Sequence, residues 1–299
     1  MRIVSLLPST TELACALGLR EQLVGISHEC DYPQSITALP ALTSSIIPHG
    51  LSQSEIDDFV RKAVKAGRSL YAVDGEGLRD LKPDLILTQG LCDVCAVTPE
   101  TIEVSLKGVR CAISSDCHVL STEGTSIAGI FADLRKLARA AGVSERAEAL
   151  IVDTEAQLAR IQAPEKAPRV LGLEWIDPFF SAGHWVPEQI HAAGGISVIG
   201  SPSEHSRTLS LEEVCGANPD IIVVLCCGFN LEANRQFAQQ LVTRPELQAI
   251  KAIQNKQVWA IDANSYCSRP TLRVVEGTKI LSQIFRGKPV HPEQACRIV

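Results

Sequence analysis

Cysteine is the residue type with the most chemistry to offer in this sequence, and its sharpest spacing lies in 88-TQGLCDVCAVTPE-100. There Cys92 and Cys95 follow an apolar run and precede a helix start. Two thiolates at this spacing supply half of a four-ligand set for Zn²⁺ or an iron–sulfur cluster. Cys30 and His28, in 27-SHECDYP-33, and Cys227, in the Cys226-Cys227 pair, are the candidates for the remainder. A redox pair is the second reading, but it needs a helix N-terminus close to the first thiol. The helix here begins near Thr98, a turn too late. The third reading is packing, which fits Cys15, Cys111 and Cys215 in their apolar-periodic segments. The odd total of eleven cysteines in a chain with no mark of export points to reduced thiols or ligands rather than disulfides.

Other groups suit a bound small molecule. In 174-EWIDPFFSAGHWVPE-188, Trp185 offers a stacking face, and His184 offers a donor or a metal ligand; a core rim of Phe179, Phe180 and Trp185 is the bland alternative. Glu174 and Asp177 lack a nucleophile or base partner, which favours solvated or capping roles. In 264-NSYCSRPTLR-273, Tyr266 can touch a ligand and Arg269 can bind an acidic group or fix its own loop. Asp31-Tyr32-Pro33 reads as a turn, and 203-SEHSR-207 as a polar segment with His205 in solvent. No G-x-G-x-x-G after a strand, phosphate loop, G-x-S-x-G or H-E-x-x-H is present, which argues against the common enzyme classes.

The elements that must position these groups alternate between Val/Ile/Leu-rich runs and helical patterns, the mark of parallel sheets with crossover helices. Strands are predicted at 2–6, 23–26, 85–89, 109–113, 169–175, 220–225 and 258–262. Helices are predicted at 10–17 (capped by Ser9 or Thr10), 53–66, 99–106, 126–141, 186–193, 231–241, 245–251 and 271–285. Over 144–163, Ala147, Leu150, Ile151, Thr154, Leu158 and Ile161 form one helical stripe that ends before Pro164 and Pro168. The predicted division is therefore an N-terminal α/β lobe over 1–143, a linking helix over 144–163 and a C-terminal α/β lobe over 164–299. A weak internal repeat aligns 77-GLRDLKPDLILTQGLC-92 with 213-EVCGANPDIIVVLCCG-228, Pro83 matching Pro219 and Asp84 matching Asp220. In open parallel sheets ligands sit outside the carboxyl ends of the strands, and both repeat units end there in cysteine.

The composition is that of a globular protein: 45% hydrophobic and 21% charged, with a net charge of −6. It shows neither the basic face of a nucleic-acid binder nor the polybasic cluster of an acidic-lipid binder. No run approaches the roughly 20 apolar residues of a membrane span. Pro8 and Ser9-Thr10-Thr11-Glu12 interrupt the N-terminal apolar run too early for a signal core. The chain as written therefore reads as cytoplasmic, and as periplasmic only if a signal once preceded it.

The segments 5-SLLPSTTELACALG-18, 24-VGISHECDYP-33, 80-DLKPDLIL-87, 178-PFFSAGHWVPEQIHAAGG-195 and 268-SRPTLRVVEGTKIL-281 together resemble the vitamin B12-binding, helical-backbone substrate-binding proteins of ABC importers. The resemblance runs in order over nearly the whole chain. It implies two Rossmann-like α/β lobes joined by one long rigid helix, a cobalamin-like corrinoid or other metal-containing ligand in the cleft between them, and an ABC permease as partner if the chain is exported. On this basis the ligand contacts are Ser9, Tyr32, His184, Trp185, Tyr266 and Arg269. The sequence departs from the family in its loops, since TQGLCDVC and 43-TSSIIPHG-50 contain no aromatic residue. Three functions follow: a non-enzymatic binding protein, an intracellular metalloprotein clasping Zn²⁺ or an iron–sulfur cluster through Cys30, Cys92, Cys95 and Cys227 with His28, and a thiol oxidoreductase using Cys92 and Cys95.

Overall fold

A computed structural model describes residues 1–90 and 117–298. The helix predicted at 99–106, the strand predicted at 109–113, and Cys92, Cys95 and Cys111 lie outside these residues. The chain divides into two compact units, one of Met1–Gly124 with Ala128–Leu150 and the other of Thr125–Ile127 with Ile151–Val299.

In the first unit the order is β1 (Ile3–Ser5), α1 (Pro8–Ala16), β2 (Leu23–Gly25), β3 (Thr43–Ser45), α2 (Gln53–Lys65), β4 (Tyr71–Val73), α3 (Gly75–Leu81), β5 (Leu85–Gln89) and β6 (His118–Thr122), with α4 (Ile127–Ala140) following. Strands β2-β1-β5-β6 form a parallel sheet. All five residues of β5 are buried, as its unbroken Leu85-Ile86-Leu87 run requires of a strand covered on both faces. Val4, Leu6, Leu42, Leu78 and Ile86 form a core cluster beside it. Helix α1 starts earlier than predicted. Pro8 opens its first turn and Leu7, which makes no side-chain cap, precedes it. Thr10 and Thr11 turn their hydroxyls back to Leu7 O at 3.2 and 3.0 Å, so neither they nor the buried Ser9 caps the helix.

α5 (Ser144–Ala159) buries Ala147, Ile151 and Thr154, half-buries Leu150 and Leu158, and ends before Ile161, short of the predicted residue 163. The boundary between the two units falls within it.

The second unit runs β7 (Arg169–Ile176), β8 (Phe179–Ser181), α6 (Val186–Ala192), β9 (Ile196–Ser197), β10 (Thr208–Leu209), α7 (Leu211–Ala217), β11 (Ile221–Val224), α8 (Leu231–Thr243), α9 (Lys251–Gln254), β12 (Val258–Ile261), α10 (Ala263–Tyr266), α11 (Val274–Phe285) and β13 (Ala295–Ile298). Its sheet has the order β10-β8-β7-β11-β12-β13, with β9 beside β7. The central strands β7, β11 and β12 are parallel, and β8 and β13 flank them antiparallel. The single helix predicted at 245–251 is instead a 3-10 turn, Pro245–Leu247, followed by α9. Ile250 is extended between them (φ −69°, ψ 129°).

The internal repeat has a structural counterpart in each unit. α3 and α7 end in a left-handed residue, Lys82 (φ 43°) and Asn218 (φ 38°), before the Pro-Asp pair. Asp84 Oδ2 accepts the Arg2 N–H at 2.7 Å and Asp220 Oδ2 accepts the Arg169 N–H at 3.0 Å. Each arginine then donates its side chain to the last carbonyl of the helix, Arg2 to Leu81 O at 2.7 Å and Arg169 to Ala217 O at 2.9 Å. One device thus sets the start of a central strand against the end of the preceding helix in both units. The architecture is α/β throughout, with a parallel sheet at the centre of each unit.

Candidate functional site

Loops at the carboxyl ends of parallel strands are the sites from which this kind of sheet binds ligands. In the second unit that edge is built around an irregularity in β7. The pairing of β7 with β8 shifts register between Leu173 and Trp175, and such a bulge re-aims the side chain it carries. That side chain is Glu174. Its Oε1 accepts the Gly183 N–H at 3.0 Å, and its Oε2 accepts a short bond from the Ser206 hydroxyl. Its backbone carbonyl accepts the Cys227 N–H at 3.2 Å. Burial pushes the Glu174 pKa up to about 7, the Ser206 and Gly183 bonds opposing it. Glu174 is therefore bonded within the edge rather than solvated.

The loop after β8 and the loop before β10 are tied together at this point. The His184 N–H donates to Glu204 O at 2.6 Å, and the Ser203 N–H donates to His184 O at 2.9 Å. Gly183 permits the approach, because a Cβ there would lie 2.3 Å from Ser206 N. The outcome is that His184 Nε2 stands 3.1 Å from His205 Nδ1. Burial, and then the neighbouring His205, holds the His184 pKa below its ordinary value.

Trp185 is not available for stacking in this structure. It is 4% exposed, and its indole N–H donates to Cys267 O at 2.7 Å, which places it in the core rim. The Cys267 thiol is buried too, and that burial drives its pKa well above the thiol range, with Glu174 and Asp262 adding to the effect. Tyr266 and Arg269, both partly buried, lie where the chain turns from α10 towards α11. The Tyr266 hydroxyl accepts from Gln294 Nε2 at 3.4 Å, and the Arg273 guanidinium sits 5.3 Å from its ring centre. Cys226 is fully buried and Cys227 partly buried.

The first unit's carboxyl edge holds a hydroxyl network. Ser5 Oγ lies 2.7 Å from Thr10 Oγ1 and 2.8 Å from Thr11 Oγ1, and Thr11 Oγ1 lies 3.1 Å from Cys30 Sγ. His28 Nδ1 is 2.7 Å from Thr43 Oγ1, which in turn donates to Ser27 Oγ at 3.0 Å. His28 and Cys30 thus share a loop, but His28 Nδ1 and Cys30 Sγ face threonine hydroxyls, and His28 Nε2 lies 4.0 Å from Glu29 Oε1. Ser9 is buried and Tyr32 is 50% exposed. Among the described residues no group of three or more His, Cys, Asp or Glu side chains is placed to hold a metal ion. The sequence reading of His205 as solvated missed its partner, and nothing in 203-SEHSR-207 alone signals that loop's docking against Gly183.

Two α/β units, each with a parallel sheet and a polar carboxyl edge, are an architecture from which small ligands are bound at strand ends. The chain belongs to the periplasmic binding protein family, which matches residues 3–265. A vitamin B12-binding protein of Vibrio cholerae is 22% identical over 283 residues, spanning 93% of this chain and 86% of the relative. Among solved structures, a periplasmic heme-binding protein from Pseudomonas aeruginosa superposes with a TM-score of 0.70 at 21% identity, covering 99% of this chain and 97% of that one. A periplasmic vitamin B12-binding protein of Vibrio cholerae superposes with a TM-score of 0.61 at 21% identity, covering 95% and 96%. Among the described residues no helix is long and apolar enough to cross a membrane.

Proposed function

We propose that the protein is a non-catalytic receptor for a small metal-containing tetrapyrrole, a corrinoid being the leading candidate, and that it serves an ABC permease. The observation that carries this reading is the family match over residues 3–265, together with relatives and structural neighbours named for vitamin B12 or heme. The edge that carries His184, His205 and Tyr266 supports it, because these groups offer imidazole and phenol to a ligand with amide, carboxylate or phosphate substituents. With Trp185 buried, polar contacts rather than indole stacking would fix the ring.

Visible absorption tests it. Titration of the purified chain with cyanocobalamin is expected to give a saturable shift of the corrin bands. A shift with haemin alone would keep the tetrapyrrole class and replace the corrinoid. Unchanged spectra with both would overturn the reading.

A further inference from the structure

His184 and His205 are 21 positions apart in sequence, yet the two loops that carry them are pinned by reciprocal backbone bonds between residues 184 and 203–204. His184 itself adopts φ 55°, a left-handed conformation that costs a non-glycine residue on the order of 1–2 kcal/mol. Gly183 allows the loops to meet with backbone against backbone. The two rings are edge to face, with centroids 5.0 Å apart and planes at 89°.

We infer that His184 and His205 form a chelating pair for a divalent first-row transition cation. Imidazole nitrogens bind such cations at about 2.0–2.1 Å, so two on one cation stand about 2.9 Å apart at a right angle and about 3.4 Å apart at the tetrahedral angle. The 3.1 Å between His184 Nε2 and His205 Nδ1 lies between these values. Without metal, one neutral ring donates its N–H to the other. With metal, the donating ring carries its proton on its other nitrogen, and both rings swing by roughly 35–45° so that their lone pairs meet at one point. Among the described residues no third His, Cys, Asp or Glu completes the set, so water or a donor atom of a bound ligand takes the other positions. Imidazole pairs of this kind select Ni²⁺, Cu²⁺ and Zn²⁺ over Mg²⁺ and Ca²⁺. The inference stands on the pair's own geometry and holds whether or not the edge receives a tetrapyrrole.

The test is calorimetric titration of the full chain with Ni²⁺ alone at pH 7.5, in wild type, His205→Ala, His184→Asn and Cys227→Ser. His205 is exposed, so its truncation leaves the core intact, and Asn tolerates the left-handed backbone at 184. One Ni²⁺ site is expected, weakened at least tenfold in both histidine variants and unchanged in Cys227→Ser. Absence of Ni²⁺ binding by wild type at millimolar concentration would overturn the inference. Unchanged affinity in His205→Ala would also overturn it, and that variant alone decides if His184→Asn does not fold.

Discussion

At the bulge in β7, Glu174 is held by the Gly183 amide and the Ser206 hydroxyl, and burial raises its pKa from 4.5 to about 7. Between those values the folded chain keeps a proton that the unfolded chain has released. The associated stability is fully present below about pH 4.5 and falls as pH rises through 7, by a total on the order of 3 kcal/mol. Glu174→Gln removes this titration while keeping an acceptor for Gly183. Urea midpoints at pH 5 and pH 8 should therefore lie closer together in the variant than in wild type, and an identical pH dependence would show that Glu174 is solvated. Trp185 makes a second case. Trp185→Phe removes the donor to Cys267 O and should cost about 1–3 kcal/mol in urea unfolding, with cyanocobalamin affinity unchanged because the ring is buried. A tenfold loss of affinity at undiminished stability would put the ring against the ligand after all. Both residues were visible in 174-EWIDPFFSAGHWVPE-188 as unusual types at a strand end. Their roles were not, because the bulge that turns Glu174 and the carbonyl that receives Trp185 depend on residues far away in sequence.

The Pro-Asp repeat shows what periodic sequence does reveal. Helix turn, Pro-Asp break and buried strand are all readable, because each is a local preference of the residues concerned; the left-handed Lys82 and Asn218 that end the helices are not. The reciprocal bonds to Arg2 and Arg169 were not, since they join strands distant in sequence. Asp220 also pairs with Lys251 and has a side-chain exposure of 26%, against 59% for Asp84. Asp220→Ala should thus cost about 1–3 kcal/mol, and Asp84→Ala less, as read by urea unfolding. Equal costs would assign the stabilisation to the Pro-Asp turn rather than to the bracket. The Arg169 amide first, then Lys251, lowers the Asp220 pKa. Its contribution is therefore present above roughly pH 4 and lost as pH falls through the depressed value. The strands missed from sequence, β3, β4, β6, β8, β9, β10 and β13, are short, polar or half-exposed. The pairings that define them come from neighbours rather than from their own hydrophobic pattern.

Across the whole chain, fold was far more legible than ligand. Alternating apolar runs and helices report the covering of sheet faces, a property summed over many residues, whereas a ligand site rests on a few side chains whose convergence no local pattern encodes. Cys92 and Cys95, the strongest spacing in the sequence, lie outside the described residues, while the closest imidazole pair joins one histidine flagged as a contact to another read as solvent-exposed. Ligand identity therefore has to be read through linkage. A ligand that binds only the folded chain stabilises it by about 2.7 kcal/mol at a hundredfold excess over its Kd, which corresponds to a rise of about 4 °C in Tm for a chain of this size. Haem iron also binds the thiols and imidazoles of an unfolded chain, and with eleven cysteines and seven histidines present this pulls the haemin shift down. The cobalt of cyanocobalamin is already fully coordinated by its corrin and axial groups, so that leak is closed. Cyanocobalamin should accordingly raise Tm by an amount that grows with the logarithm of its concentration. A Tm that stays flat from equimolar to hundredfold excess would mean that the folded chain has no site for it.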